Sequence, residues 1–125
     1  MPETIELPKM YDEIDAQRRL VGEGEHTVQV QSIAEQPDGR VVATLTVIDD
    51  GPYAQAILYD SFSLNVREGL RSLKEFVQAI GVATPERRLS PAACAGKKLR
   101  VTIEHQTAKD GKVYANVVRR MTPQA

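Results

Sequence analysis

The chain has 125 residues, enough for one domain with a modest core. At 42% hydrophobic residues it suits a globular protein, and no apolar run approaches the roughly 20 residues that cross a bilayer, which leaves no membrane-spanning helix to propose. The net charge of −1 hides an uneven distribution: residues 1–50 carry 4 Lys/Arg and 11 Asp/Glu, residues 51–125 carry 12 and 6. Such a split points to a basic binding region beside an acidic arm rather than to a uniformly basic nucleic-acid binder.

Residues 1–23 hold two prolines and an excess of acid with no sustained periodicity, and are read as a largely extended arm with a short helix across "YDEIDAQRRL". The first twenty residues lack the basic and apolar regions of a signal peptide. Cys94 is the one cysteine, which rules out an internal disulfide and fits a reducing cytoplasm. Cys94, His26 and His105 lack metal-site spacing, and no cofactor motif is visible.

From residue 24 the pattern becomes that of a domain. "EHTVQVQSIAE" alternates, with Val28 and Val30 on one face, as a half-buried strand does. "QPDGR" is a turn, because Pro fixes φ and Gly accepts a positive one. "RVVATLTVID" is a second strand, rich in β-branched residues, and "AQAILYDSFSLN" a third beyond the turn "DDGPY". In "NVREGLRSLKEFVQAIG" the period changes: Val66, Leu70, Leu73, Val77 and Ile80 form a helical stripe, with Asn65 as N-cap, Glu68 as capping-box partner and Gly81 as the stop. "SPAACAG" predicts one more helical turn capped by Ser90. "KKLRVTIEHQ" and "KVYANVVRR" are the last two strands, joined by the Asp-Gly turn of "AKDG". Three strands, a helix and two strands is the order of the OB-fold, so the expected class is mainly β. The expected architecture is a five-stranded Greek-key barrel over residues 24–121, with one helix between strands 3 and 4 and a short tail at 122–125.

The run "DGPY", "ILYDSFSL", the helix ending "AIG", "ACAGKKLRVTI" and "KDGKVYANVV" resembles a family of tailed-phage proteins known largely as a domain of unknown function and often described as single-stranded-DNA-binding. The resemblance spans roughly residues 24–121 and implies an OB-fold protein of phage or prophage replication and recombination, working in the cytoplasm of a bacterial host. Two departures stand out. The family's second turn usually carries basic residues after the tyrosine, where this chain reads "GPYAQA". Many single-stranded-DNA-binding proteins end in an acidic recruiting tail, where this one ends "RRMTPQA".

Single strands are held by a cationic groove that follows phosphate and by rings that stack on bases. The final hairpin, residues 95–120, has seven Lys/Arg against two acids. Lys97, Lys98, Arg100, Lys109, Lys112 and Arg119 are therefore the phosphate candidates, with Arg40 from the first turn. Tyr114 lies out of phase with Val113, Ala115 and Val117 and faces out if those face in. Tyr59 has an ambiguous side. Tyr53 is either an exposed platform or a cap on the barrel end, and Phe62 shares parity with Leu58 and Leu64, as a core residue would. No Walker loop, nucleophile elbow or usable carboxylate pair is present, so the chain reads as non-enzymatic, with single-stranded DNA as partner. The rival reading is an adaptor that docks replication or recombination proteins, its acidic arm free to exchange into a homodimer or to shield the basic groove.

Overall fold

The computed structural model describes residues 4–8 and 19–123. Five antiparallel strands form one sheet in the order β3-β2-β1-β4-β5: β1 (Gly24–Glu35), β2 (Arg40–Val47), β3 (Ile57–Ser63), β4 (Lys98–Thr107) and β5 (Val113–Met121). Helix α1 (Arg67–Ile80) and helix α2 (Pro91–Cys94) lie between β3 and β4, with a 3-10 turn at Pro85–Arg87. Of these helices, none is long and apolar enough to cross a membrane. The helix expected across residues 11–20 falls mostly outside the described residues; Arg19 and Leu20, which are described, are not helical.

Alternation on the strands builds the core. Val28 and Val30 on β1, Val41, Ala43, Leu45 and Val47 on β2, Leu58 and Phe62 on β3, and Leu99, Val101 and Ile103 on β4 are all buried. Two bulges interrupt that period. On β1 the register skips Gln31, so burial passes from Val30 to Ile33. On β5 it skips Val118, since Ile103 pairs with Val117 while Thr102 pairs with Arg119. One extra residue reverses which face the following side chains take. Arg120 therefore points into the core.

The expected third strand is shortened at its start. The turn at Gly51–Ala56 takes up residues 54–56, with Gln55 at φ 71 and Ala56 N–H donating to Tyr53 O. The start of α1 also differs from expectation. Its N-cap is Val66, with extended backbone and no side-chain cap bond. Asn65 instead lays its side-chain amide against Gly39 of the first turn, where a Cβ would lie 2.7 Å from Nδ2. Gly81 does end the helix in the left-handed region, and Ser90 caps α2 by accepting a hydrogen bond from Ala93 N–H. Of the expected stripe only Val77 and Ile80 are buried, joined by Phe76 and Ala79, whereas Val66 and Leu70 stay about half exposed.

The ladders do not close this sheet. β3 and β5 are its edges, and a buried ion pair bridges the middle of β3 to the end of β5. The Arg120 guanidinium donates to Asp60 through Nε at 2.7 Å and Nη2 at 2.6 Å, with both side chains almost fully buried. Glu75 of α1 accepts from Arg120 N–H at 2.7 Å and so ties the helix to the same point. The guanidinium also sits 5.1 Å from the Phe62 ring, which packs in turn on Phe76. Burial pushes the Asp60 carboxyl above its ordinary value against the pull of Arg120. Burial opposes charge on Arg120 as well, but hydrogen bonds and charge from Asp60, then Glu75, raise its pKa.

Two stability outcomes follow. Arg120→Ala strands a buried carboxylate and is expected to cost about 3–5 kcal/mol, read as a lower urea midpoint. Asp60→Leu/Arg120→Met, which removes both charges and keeps volume, should recover most of that loss. Gly69 sits where a Cβ would lie 2.0 Å from Ser63 O. Gly69→Ala should therefore lower the melting temperature by circular dichroism, with a loss of about 1–3 kcal/mol from overpacking, although helix propensity alone favours Ala by about 1 kcal/mol.

Candidate nucleic-acid interface

Next to the ion pair, toward the start of β3 and β5, lies an opening. The opening is a cleft of about 380 Å³, walled by Ile57 and Tyr59 of β3, by Val113–Asn116 of β5, and by Arg19–Val21 of the N-terminal segment. Tyr59 is 64% exposed and Tyr114 is 49% exposed, one on each edge strand. Their outward positions follow from strand parity. Tyr59 lies between buried Leu58 and Asp60, and Tyr114 pairs in register with Gln106 on the outward face of β4. Both rings can therefore offer a face to a ligand in one opening.

The cationic candidates fall into three groups. Lys109 and Lys112 are exposed in the β4–β5 loop, which leads directly into the Tyr114 wall; that turn is fixed by Asp110 Oδ1 accepting from Lys112 N–H and by Gly111 at φ 84. Arg40 pairs in register with Ser63 on the Tyr59 side of β3, four residues from Tyr59, or about 13 Å at the rise of a strand. Its Nε donates to Asp38 at 2.8 Å, and that bond holds the Asp38 carboxyl below the ordinary aspartate value. Lys97, Lys98, Arg100 and Arg119 lie away from the cleft, at the start of β4 and across it on β5, where Thr102 pairs with Arg119. Arg100 in that group is held by Glu25 at 2.8 Å. The ten candidates are thus not gathered on one surface: Tyr59, Tyr114, Lys109 and Lys112 are at or next to the cleft, Arg40 is farther along, Lys97, Lys98, Arg100 and Arg119 form a separate group, and Tyr53 lies elsewhere. The charge of the hairpin is lower than its composition suggests because Arg120 is internal.

Tyr53 is set apart from the two exposed rings. It is half-buried, meets the His26 ring edge-on at 5.7 Å and 87°, and packs on Gly22. It does not line the Tyr59/Tyr114 cleft. The two histidines, which show no partner in the sequence, each have one here. His105 Nε2 lies 2.7 Å from Val21 O and His26 Nε2 lies 2.7 Å from Gly22 O. A carbonyl can only accept, so each Nε2 carries the proton.

Residues missed by the sequence reading are Arg19, Leu20 and the Asp60–Arg120 pair. Asp60 carried a signal, a carboxylate in phase with Leu58 and Phe62. Arg120 carried none, because its inward direction depends on the bulge. Cys94 is buried, and burial pushes its thiol up, away from the thiolate that a nucleophile requires. Among the described residues no group of His, Cys, Asp and Glu is arranged to hold a metal.

No curated protein matches the chain. A family model described as "Protein of unknown function (DUF669)" matches residues 11–125 and so takes in every strand and helix described above, together with Arg19 and both cleft tyrosines. With nearly its whole length matched, the chain belongs to the DUF669 family.

Proposed function

We propose that this protein is a non-enzymatic, OB-fold-like single-stranded-DNA-binding protein of phage or prophage replication or recombination. The observation that carries the reading is the pair of exposed rings, Tyr59 and Tyr114, on the two walls of one cleft. Bases stack on such rings with little regard to sequence, each stacked base contributing about 1–3 kcal/mol. Lys109 and Lys112 at one end and Arg40 at the other give phosphates a path past the rings. The fold supports the same reading. A five-stranded sheet with convergent edges and a helix between β3 and β4 has the element order of a partly open Greek-key barrel, whose binding face is built on strands 2 and 3 with the 1–2 and 4–5 loops.

One observation favours the adaptor reading. Leu70, Leu73, Val77, Val82 and Leu89 line an open apolar groove beside α1, with Lys74 and Arg87 at its edge. Glu86 and Arg87 there both have left-handed backbone, at φ 55 and φ 61. The groove suits an acidic amphipathic segment of a partner protein.

Fluorescence anisotropy with labelled oligo-dT across a salt series separates the two. A single-strand binder retains oligo-dT over duplex, with log affinity falling by about 0.7 per phosphate contact for each unit of log salt. Tyr59→Ala and Tyr114→Ala should each weaken binding by about 1–3 kcal/mol while leaving that slope unchanged. Lys109→Ala and Lys112→Ala should make the slope shallower by about 0.7 each. An adaptor without direct DNA binding would retain no oligonucleotide at about 50 mM salt, where ionic contacts are strong.

A further inference from the structure

The N-terminal segment is part of the cleft rather than an appendage to it. Residues 19–23 cross the end of the sheet as a strap. Val21 is fully buried in the core. Its carbonyl accepts from His105 on β4, the next carbonyl accepts from His26 on β1, and Glu23 Oε2 accepts from His105 N–H at 3.1 Å. Both histidines of the chain are thus spent on two consecutive strap carbonyls. Gly22 lets the strap pass close to Tyr53, since a Cβ there would lie 2.6 Å from the phenol oxygen. These anchors fix the direction in which the chain leaves Val21, and they bring Leu20 and Arg19 to the cleft that holds Tyr59 and Tyr114.

Arg19 is then held by one further bond. Its Nη1 donates to Pro52 O at 2.5 Å, using one of five N–H donors and steadying the plane of the guanidinium. The side chain is exposed. Among the described residues Arg19 has no carboxylate partner, as Arg67, Arg87, Arg88 and Arg119 also have none, but of these five only Arg19 lines the cleft. A fixed guanidinium with free donors, next to two stacking rings, has the fork geometry that matches a phosphodiester.

We propose that Arg19 is a phosphate-binding residue of the cleft and that the strap clamped by His26 and His105 positions it there. The proposal rests on the nucleic-acid reading above and adds to it a phosphate contact, delivered by the N-terminal segment, beside the two rings. A nucleotide whose base stacks on Tyr59 or Tyr114 would place its phosphate against the strap.

The test is the oligo-dT anisotropy titration on the full-length chain. Arg19→Ala should weaken binding about tenfold at low salt and make the salt slope shallower by about 0.7, while Arg19→Lys keeps most of the slope. Gly22→Ala and His105→Leu, which displace or release the strap, should weaken wild-type binding but have little further effect once Arg19 is alanine. That lack of additivity distinguishes positioning from a general loss of stability. Unchanged affinity and slope in Arg19→Ala, with Tyr114→Ala still weakened, overturns the role of Arg19 and leaves the stacking reading intact. Equal losses from His105→Leu with and without Arg19 overturn the positioning role of the strap. Absence of oligo-dT binding by the wild-type chain at about 50 mM salt removes both readings together.

Discussion

A five-stranded sheet with this order has two edges that must be dealt with, and here one buried guanidinium does so. Arg120 meets Asp60 across the seam and Glu75 on the helix above it, so strand β5, strand β3 and α1 all meet at a single side chain. Neither edge strand offers the other a ladder in this region. A purely apolar contact would hold the edges with less directional control, because dispersion and burial do not fix an angle. The bidentate fork does fix one. The surrounding packing supports it, with Phe62 under the guanidinium and Phe76 against Phe62.

That closure is local, and its limited reach creates the opening. The ion pair joins Asp60 in the middle of β3 to Arg120 near the end of β5, and the cleft lies toward the start of both strands. There the edges carry Ile57, Tyr59, Val113 and Tyr114 rather than charges that repel a neighbour. Exposed edge strands normally invite pairing with other chains. In this protein the N-terminal strap covers part of the edge, and the cleft left between strap and strands is where the exposed rings collect. The ion-paired contact between the edge strands and the open cleft beside it are two consequences of the same arrangement.

Charge in this protein is arranged by pairing more than by number. Arg100 is matched by Glu25 and Arg120 by Asp60, and each match moves a cation from the pool that could attract a polyanion to the pool that fixes the fold, whereas Arg40 stays exposed beside Asp38. What remains near the cleft is Lys109, Lys112 and Arg19, with Arg40 farther along the Tyr59 side. On the proposed single-strand reading, such a surface would favour stacking over long-range attraction, with few contacts specific in geometry rather than a broad electrostatic field. Lys98 and Arg119 lie on the outer face of β4 and β5, and Lys97 is exposed just before β4.

Local chemistry in the sequence determined most of the elements. The strands, the Asp-Gly turns, the glycine stop of α1 and the Ser90 cap depend on residues within a few positions of one another. Alternation alone also placed Phe62 inward and Tyr114 outward. Tertiary structure decided what alternation cannot carry. The bulge at Val118 reverses parity for the residues after it, which sends Arg120 inward to a carboxylate sixty positions away. Asn65 leaves the helix start because Gly39, distant in sequence, presents a surface for its amide. Arg19 reaches the cleft because His105, more than eighty positions on, holds the carbonyl of Val21. Each of these depends on a contact between segments that only the folded chain brings together, and no period or turn motif within either segment encodes it.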